Sequence, residues 1–161
     1  MTSIATCLWF NGDAEAAANL YTSLIPDSRI DKVMRSPADN PSTRQGEVLT
    51  VDFTLAGQRL VGLNGGPDFP FTEAISLVIE CEDQAEVDRL WSSLILGGGE
   101  AGQCGWLKDR FGVSWQVVPR QLSEMLSGSD PEGAKRAMEA MLQMSKIDVA
   151  RLREAYEGVT V

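Results

Sequence analysis

The sequence predicts an α+β fold made of two βαβββ units followed by C-terminal helices. Two observations lead to this prediction: a β-rich apolar run precedes a single amphipathic helix twice along the chain, and further strand-like runs follow each helix. A chain of 161 residues, 43% hydrophobic and 23% charged, has the size and composition of one compact domain. We therefore expect a single domain at 1–161, divided into a first unit at 4–64, a second unit at 74–118 and a helical extension at 119–161.

The first unit has clear signals for where its elements begin and end. Asn11-Gly12-Asp13 offers a helix N-cap, Pro26 ends the following apolar-periodic segment, and Ala56-Gly57-Gln58 suits a short hairpin turn. A loop rich in Pro, Ser, Asn and Asp separates its second and third strands. The predicted elements are a strand at 4–10, a helix at 14–24, and strands at 28–35, 47–55 and 59–63.

The second unit repeats this order more compactly. Asp83 and Glu86 have the spacing of a capping pair, and Gly97-Gly98-Gly99 supplies the helix stop. The run at 74–81 is almost continuously apolar, which predicts a central strand. Strands are expected at 106–108 and 113–118, and helices at 119–126, 130–144 and 147–156. We expect the Met-rich face of these helices to pack on the sheet or on a dimer mate.

Composition excludes several classes of function. The formal charge of −9, with 23 acidic against 14 basic residues and no basic run, argues against nucleic acid as a partner. No stretch of about 18 apolar residues occurs, and residues 1–3 lead directly into a strand, so we expect no membrane span, no export and a cytoplasmic location. The three cysteines are widely spaced without a C-x-x-C and are expected to be reduced thiols. With no histidine, imidazole catalysis and His-bound zinc are excluded.

Two segments carry a more specific signal. They are Leu63-Asn64-Gly65-Gly66-Pro67, and Cys104-Gly105-Trp106-Leu107-Lys108-Asp109 continued by Ser114-Trp115-Gln116-Val117-Val118-Pro119. With the repeated βαβββ order they resemble the PhnB-like branch, often labelled 3-demethylubiquinone methyltransferase-like, of the vicinal oxygen chelate superfamily, which also holds glyoxalase I and bleomycin-resistance proteins. The resemblance covers roughly the whole chain. It implies cupped mixed sheets around a cleft, the glyoxalase/bleomycin-resistance fold, and usually a homodimer.

The resemblance also permits a test for metal binding. In metal-using relatives, the first and last strands of each unit supply the ligands, and the corresponding positions here are Thr6, Leu60, Ala74 and Gln116. None is a carboxylate or an imidazole, and such neutral groups cannot offset the dehydration of a divalent ion. We therefore predict no metal, and no glyoxalase or extradiol-dioxygenase chemistry. No strand-loop-helix glycine signature for a nucleotide-like cofactor is present either, so we predict no cofactor.

We expect the cleft to bind an unidentified small organic molecule through an aromatic wall and amide groups. Alternation along the last strand puts Trp115 and Gln116 on opposite faces, and the resemblance favours Gln116 in the cleft. The loop between the units is a further candidate, because loops often carry function, although an ordinary crossover explains it as well. The pocket candidates are Thr6, Asn64, Asp68, Phe69, Cys104, Trp106 and Gln116.

Three functions stay open at this point. The first is a metal-free binding or sequestering protein. The second is a metal-independent enzyme, lyase-like or transferase-like, that uses Cys104 or a strand carboxylate such as Glu47, Asp52 or Glu80. For these residues a small buried thiol and outward, solvated carboxylates are the ordinary interpretations. The third is a structural dimerisation module that associates through its Met-rich helices.

Overall fold

The computed structural model describes residues 1–159, and the last two residues of the predicted extension, Thr160 and Val161, lie outside them. Strands and helices follow the predicted order βαβββ twice. They are β1 (Thr6–Phe10), α1 (Ala14–Leu24), β2 (Arg29–Arg35), β3 (Val48–Leu55), β4 (Gln58–Asn64), β5 (Leu77–Cys81), α2 (Gln84–Ile95), β6 (Glu100–Ala101), β7 (Trp106–Lys108), β8 (Ser114–Pro119), α3 (Arg120–Leu126), α4 (Pro131–Met141) and α5 (Val149–Glu157).

The strands form two mixed four-stranded sheets, one in each half of the chain. Their strand orders are β1-β4-β3-β2 and β5-β8-β7-β6, and in each sheet the first strand of the unit pairs in parallel with the last. The chain divides into two compact units, unit 1 at Met1–Phe71 and unit 2 beginning at Thr72. The prediction of an α+β fold with two βαβββ units is confirmed.

Unit 1 has one sheet face covered by α1. The helix buries its small residues and Tyr21, whose ring lies 6.3 Å from that of Phe53 on β3. Gly62 on β4 permits this close packing, because a Cβ there would lie 3.2 Å from the Cβ of Ala14. Alternation therefore turns every second residue of β1, β3 and β4 toward the helix and leaves the remaining side chains on an open face.

Unit 2 is built in the same way around α2. The capping pair that the sequence predicts is present: the Asp83 side chain accepts from the Glu86 N–H at 2.9 Å, and the Glu86 side chain accepts from the Glu82 N–H at 2.8 Å. On its inner face the helix buries Val87, Leu90, Trp91 and Leu94. Because α2 packs on β8, the buried Trp115 lies beneath a helix, as predicted.

The position of β5 differs from the prediction. It lies at the edge of its sheet, not at the centre, and Val78 is 62% exposed. The strand also begins at Leu77, so Ala74 lies in the preceding turn, outside the strand. An apolar run alone does not distinguish a central strand from an edge strand that carries exposed apolar residues.

The C-terminal helices form a small second core in unit 2. Its buried residues, Leu122, Met144, Ile147 and Leu152, pack with half-buried neighbours that include Val118 of β8. On the face of α4 that the sequence predicts to pack, Ala137 is buried and Met141 packs against this core, whereas Met138 is 45% exposed. In residues 1–159 no helix is long and apolar enough to cross a bilayer.

Candidate functional site: the open face of unit 2

The candidate site lies on the sheet face of unit 2 that α2 does not cover. In the ladder of β7 and β8, Trp106 pairs with Gln116 and Lys108 pairs with Ser114, so these four side chains lie on one side of the sheet. Leu107 and its partner Trp115 lie on the other side and are buried. Two of the predicted pocket residues, Trp106 and Gln116, are thereby neighbours on the open face.

The segment that precedes β5 crosses this face. The Gln116 Nε2 donates a hydrogen bond of 2.9 Å to the Ser76 Oγ, and Lys108 forms an ion pair with Glu73. The hydrogen bond from Lys108 is the main reason why the pKa of the Glu73 carboxyl is lowered, and the same bond raises the pKa of Lys108. Both side chains are therefore charged at neutral pH. Their ion pair holds the segment that precedes β5 against the open face of the sheet.

A cavity of about 480 Å³ opens between this segment, β7 and the β6–β7 turn. Its volume falls within the range of small-molecule sites. The residues that line it are Glu73, Glu100, Ala101, Gly102, Gln103, Trp106, Leu107, Lys108 and Ser114. The cavity therefore combines an indole ring with several groups that form hydrogen bonds.

Ser114 is the most informative residue of the lining. It is 2% exposed, and within residues 1–159 its Oγ has no hydrogen-bond partner. A buried hydroxyl without a partner loses its hydrogen bonds to water and gains nothing in return. Ser114 thus places an unpaired hydroxyl at the border of the cavity.

Asp109 holds Ser114 in place through the turn between β7 and β8. One of its oxygens accepts from the backbone N–H groups of Phe111 and Val113 at 2.8 and 3.0 Å, and the other accepts from the Trp115 indole at 2.9 Å. Asp109 itself is 2% exposed. The Asp109 carboxylate thus stabilises the turn, and the strand that carries Ser114 starts from a fixed turn.

The lining carries two carboxylates, Glu73 and Glu100, against one ammonium group, Lys108. Glu100 and Lys108 are also cross-strand partners on β6 and β7. The formal charge of the lining is therefore −1. Such a site favours a cationic guest over an anionic guest.

Cys104, another predicted pocket residue, does not belong to the lining set. It is half-buried in the β6–β7 turn, with a left-handed backbone (φ 57°), and its N–H donates to the Met144 carbonyl at 2.8 Å. The residue therefore connects the turn to the C-terminal helices instead of facing the cavity.

The predicted candidates of unit 1 lie apart from one another. Thr6 and its ladder partner Leu60 lie on the face covered by α1, and Leu60 is 1% exposed. The expectation that they project onto the open face is therefore wrong. Asn64 is buried: its Oδ1 accepts from the Ala14 N–H at 2.9 Å, and its Nδ2 donates to the Val48 carbonyl at 2.9 Å. Asn64 thus ties the start of α1 to β3, although it also borders a second cavity of about 430 Å³.

Asp68 and Phe69 lie on the segment after β4. Asp68 is exposed, and Phe69 is 64% exposed with its ring edge-on to that of Trp9, the centroids 4.9 Å apart. The Trp9 indole donates to the Gly66 carbonyl at 2.9 Å, and Gly65 lies against the ring, where a side chain would collide with it. Packing on Trp9 thus explains Gly65, and the left-handed backbone explains Gly66, whose φ is 100°.

The resemblance marks four positions as those of the metal ligands in metal-using relatives. They carry a threonine, a leucine, an alanine and a glutamine, and two of them face away from the open side of their sheet. In the part of the chain that the structure describes, no three His, Cys, Asp or Glu side chains come together as a metal ion requires. These residues do not fit a divalent ion.

The sequence indicated only part of this site. Ser114 and Lys108 lie two residues from Gln116 and Trp106, so strand alternation could have placed them on the same face. Glu73 lies in an irregular segment with no periodic pattern, and Glu100 belongs to a strand of two residues. No sequence signal predicted that these two acidic residues belong to the site.

Each βαβββ unit has one sheet face covered by a helix and one open face. This repeated unit is the α+β architecture that the sequence predicted. The chain belongs to the family described as 3-demethylubiquinone-9 3-methyltransferase, whose family model matches residues 2–118. The predicted PhnB-like resemblance is thereby confirmed for residues 2–118, whereas the expectation that it covers roughly the whole chain is wrong, because the family model does not match the C-terminal helices. The comparison with curated proteins finds no match.

One solved structure supports this assignment, and others are similar at lower identity. A putative 3-demethylubiquinone-9 3-methyltransferase, PhnB protein, from Bacillus cereus is 35% identical, with a TM-score of 0.66 over 73% of this chain and 99% of that chain. A Pseudomonas aeruginosa protein is 21% identical, with a TM-score of 0.60 over 74% and 98%. A glyoxalase/bleomycin resistance protein from Albidiferax ferrireducens is 15% identical, with a TM-score of 0.48 over 73% and 98%.

Proposed function

We propose that this protein binds or sequesters a small organic molecule in the unit 2 cavity, without a metal ion. The observation that carries the proposal is the Ser114 hydroxyl, which is buried at the border of the cavity and has no partner in residues 1–159. Native proteins seldom leave such a group unpaired, and a polar atom of a ligand would supply the partner.

The other lining groups define the chemistry of the ligand. Trp106 offers an aromatic surface, and the carboxylates of Glu73 and Glu100 outnumber the ammonium of Lys108. A cation beside an indole and carboxylates gains both cation–π and Coulomb attraction. We therefore propose a small aromatic or planar molecule that carries an amine.

Methyl transfer, which the family description names, has little support from these residues. Gly97–Gly99 follow the C-terminal end of α2, and Gly65 and Gly66 follow β4. Cradles for nucleotide-like cofactors place glycines between a strand and the N-terminus of a helix, where free N–H groups meet the ligand. Neither glycine group has that position, so we derive no methyl-transfer step.

A metal-independent enzyme is also less well supported than a binding protein. The lowered pKa of Glu73 makes its carboxylate a weak general base. Cys104, the predicted alternative nucleophile, is not among the lining residues. The cavity thus offers groups that suit recognition better than proton abstraction or nucleophilic attack.

We also propose that the chain forms a homodimer. Ile75 and Val78 are 68% and 62% exposed, and Val78 lies on the edge strand β5 of unit 2. A second copy would cover this apolar edge. Sedimentation of the protein and of Val78→Lys tests the proposal: we expect a dimer that the lysine weakens, and a monomeric parent protein would refute it.

A cytoplasmic location is a further proposal. Cys7, Cys81 and Cys104 are all free thiols, as is usual in a reducing compartment. Fractionation of cells that express the full-length protein tests the location, and recovery outside the cytoplasm would contradict it.

The binding proposal is tested with two fragments of similar size and opposite charge, phenethylamine and phenylacetate. Phenethylamine is expected to shift the NMR signal of the Trp106 indole N–H, with a Kd on the order of 1 mM for so small a ligand. Phenylacetate is expected to leave that signal unchanged, because the lining is net negative. Trp115, which is buried on the other side of the sheet, provides an internal reference.

Two results would refute this proposal. One is the absence of any shift with phenethylamine at several times that concentration. The other is an equal response in a Glu73→Gln/Glu100→Gln variant, since the acids would then contribute nothing to recognition. A response to phenylacetate alone would reverse the proposed charge of the ligand.

A further inference from the structure

The C-terminal helices lie beyond the part of the chain that the family shares. The family model ends at residue 118, and the Bacillus cereus structure covers 73% of this chain. In unit 2 these helices build a core of their own against β8. The connection between α4 and α5, at 142–148, also reaches the turn between β6 and β7, at 102–105.

Three hydrogen bonds join this connection to the turn. The N–H of Cys104 donates to the Met144 carbonyl at 2.8 Å, and the N–H of Gly105 donates to the Ser145 carbonyl at 2.8 Å. The Ser145 hydroxyl donates to the Gly102 carbonyl. Each residue of the turn except Gln103 is therefore bound to the C-terminal connection.

The turn needs such support because of its backbone conformation. Cys104 and Gly105 are both left-handed, with φ of 57° and 84°. That region is disfavoured for an L residue such as cysteine and persists where surrounding contacts enforce it. Ile147 adds to these contacts, since its Cγ1 would lie 3.1 Å from a Cβ at position 105.

The connection is itself fixed to α2. The Gln84 amide donates to the Ile147 carbonyl at 3.0 Å and accepts from the Val149 N–H at 2.8 Å. Lys146 forms an ion pair of 2.8 Å with Asp88. The turn is thus connected through the C-terminal segment to the helix that covers the other face of the sheet.

Gly102 and Gln103 of this turn line the cavity, and Trp106 follows directly after it. We propose that the C-terminal segment is a positioning element of the binding site: Met144 and Ser145 set the β6–β7 turn and so fix one wall of the cavity. The effect of the C-terminal segment on ligand affinity rests on the proposed function. Its effect on the conformation of the turn does not depend on that function. A wall held by a rigid second layer binds a ligand better than a mobile wall.

The test compares Ser145→Ala with Ser127→Ala. The hydroxyls of both serines donate to a backbone carbonyl, but the partner of Ser127 is Ser123 in α3, away from the cavity lining. In Ser145→Ala we expect the amides of Cys104 and Gly105 to exchange with deuterium about tenfold faster, while exchange in β5 stays unchanged. Ser127→Ala is expected to leave both regions unchanged.

Affinity gives a second measurement. Phenethylamine is expected to bind about fivefold more weakly to Ser145→Ala, the usual consequence of one lost hydrogen bond, with no change for Ser127→Ala. Gln84→Ala, which removes the two hydrogen bonds between Gln84 and the C-terminal segment, is a second variant with the same expected result. The proposal is wrong if exchange at Cys104 and Gly105 is unaltered in both variants, or if the whole unit exchanges faster to the same extent.

The two proposals fail in different ways. If the parent protein does not bind phenethylamine but Ser145→Ala still loosens Cys104 and Gly105, the positioning of the turn is supported and the proposed function is refuted. If phenethylamine binds equally well to both serine variants and exchange is unaltered, the binding function stands and the positioning role is refuted.

Discussion

Lys108 donates a hydrogen bond to Glu73 across the open face of unit 2, and this ion pair joins an irregular segment to the middle of a sheet. The side chains are 38% and 60% exposed, so water screens the pair and its effect on global stability is small. Its consequence is local: it keeps the segment at 72–76 in place as one wall of the cavity. Four predictions follow from this site and from the thiols of the two units.

The first prediction concerns the titration of Glu73. Its folded-state pKa is lowered, so its contribution is present above the unfolded pKa and is lost as pH falls through the folded value. The pKa of Lys108 is raised, so its contribution is lost as pH rises through its folded value. The ion pair should therefore be complete between about pH 5 and about pH 10. Carbon-detected NMR of the Glu73 carboxyl measures the acid limb directly.

Lys108→Met should raise the Glu73 midpoint, because it removes the hydrogen bond that is the main cause of the lowered pKa and leaves only the smaller effect of a backbone hydrogen bond. Lys146→Met is the matched control, because Lys146 pairs with Asp88 on α2 and does not contact Glu73. An identical Glu73 midpoint in the parent protein and in Lys108→Met would contradict the ion pair.

The second prediction compares Ser114, which lines the cavity, with Ser76, whose hydroxyl accepts a hydrogen bond from Gln116. Ser114→Ala removes a buried hydroxyl that has no partner in the described chain, so we expect the free energy of unfolding to rise by about 1 kcal/mol. Ser76→Ala removes the acceptor of the Gln116 amide and should lower it by about 1 kcal/mol. Urea denaturation measures both changes.

The opposite signs distinguish a hydroxyl kept for a ligand from one kept for stability. Ser114→Ala should also weaken the binding of phenethylamine although the folded protein is more stable. A loss of stability in Ser114→Ala similar to that in Ser76→Ala would show that Ser114 already has a structural partner.

The third prediction concerns Asp109, which accepts three hydrogen bonds while 2% exposed. Asp109→Ala removes the acceptor that two backbone N–H groups and the Trp115 indole share, and we expect a loss of about 3 kcal/mol in the free energy of unfolding. Asp109→Asn can keep one acceptor oxygen for the backbone N–H groups but presents an amide donor to the indole, so its loss should be smaller. Urea denaturation followed by far-UV circular dichroism measures both losses.

Trp115→Phe serves as the matched variant, because it removes the indole donor and leaves the carboxylate with its two backbone partners. In a double-mutant cycle, Asp109→Asn and Trp115→Phe should be less than additive, since both remove the same hydrogen bond. Strict additivity would mean that this bond contributes nothing.

Local patterns predicted most of the fold. The Asp83 and Glu86 cap, the Gly57 turn and the strand alternation all depend on neighbours within a few residues, and each element except the two-residue β6 was predicted within a few residues of its observed bounds. The edge position of β5 could not be predicted in this way, because strand order depends on pairing between distant segments.

The candidate site was predicted less completely, for the same physical reason. Trp106 and Gln116 were found because their strand motif fixes their spacing. Glu73 belongs to an irregular segment that crosses the sheet, and no periodic sequence pattern predicts its position. Thr6 was expected on the open face, but the observed register turns it to the side of Leu8 and Phe10, beneath α1.

The fourth prediction concerns the thiols and their reactivity with iodoacetamide. Cys7 lies on the open face of unit 1 and is exposed as a residue, but partial desolvation of its Sγ raises its pKa. Cys81 is fully buried, and burial, followed by the charge of Glu86, raises its pKa to about 12. Because the thiolate is the nucleophile, both residues should be mostly unreactive at pH 7.

Alkylation followed by peptide mass spectrometry checks this order. In the folded protein, Cys7 should react more slowly than free cysteine and faster as pH rises through 9, whereas Cys81 should react only after unfolding in guanidinium. Cys7→Ser is the matched variant: it should remove the pH-dependent labelling and leave the protection of Cys81 unchanged. Labelling of Cys81 in the folded protein at the rate of Cys7 would mean that the core between α2 and β5 opens far more often than its complete burial implies.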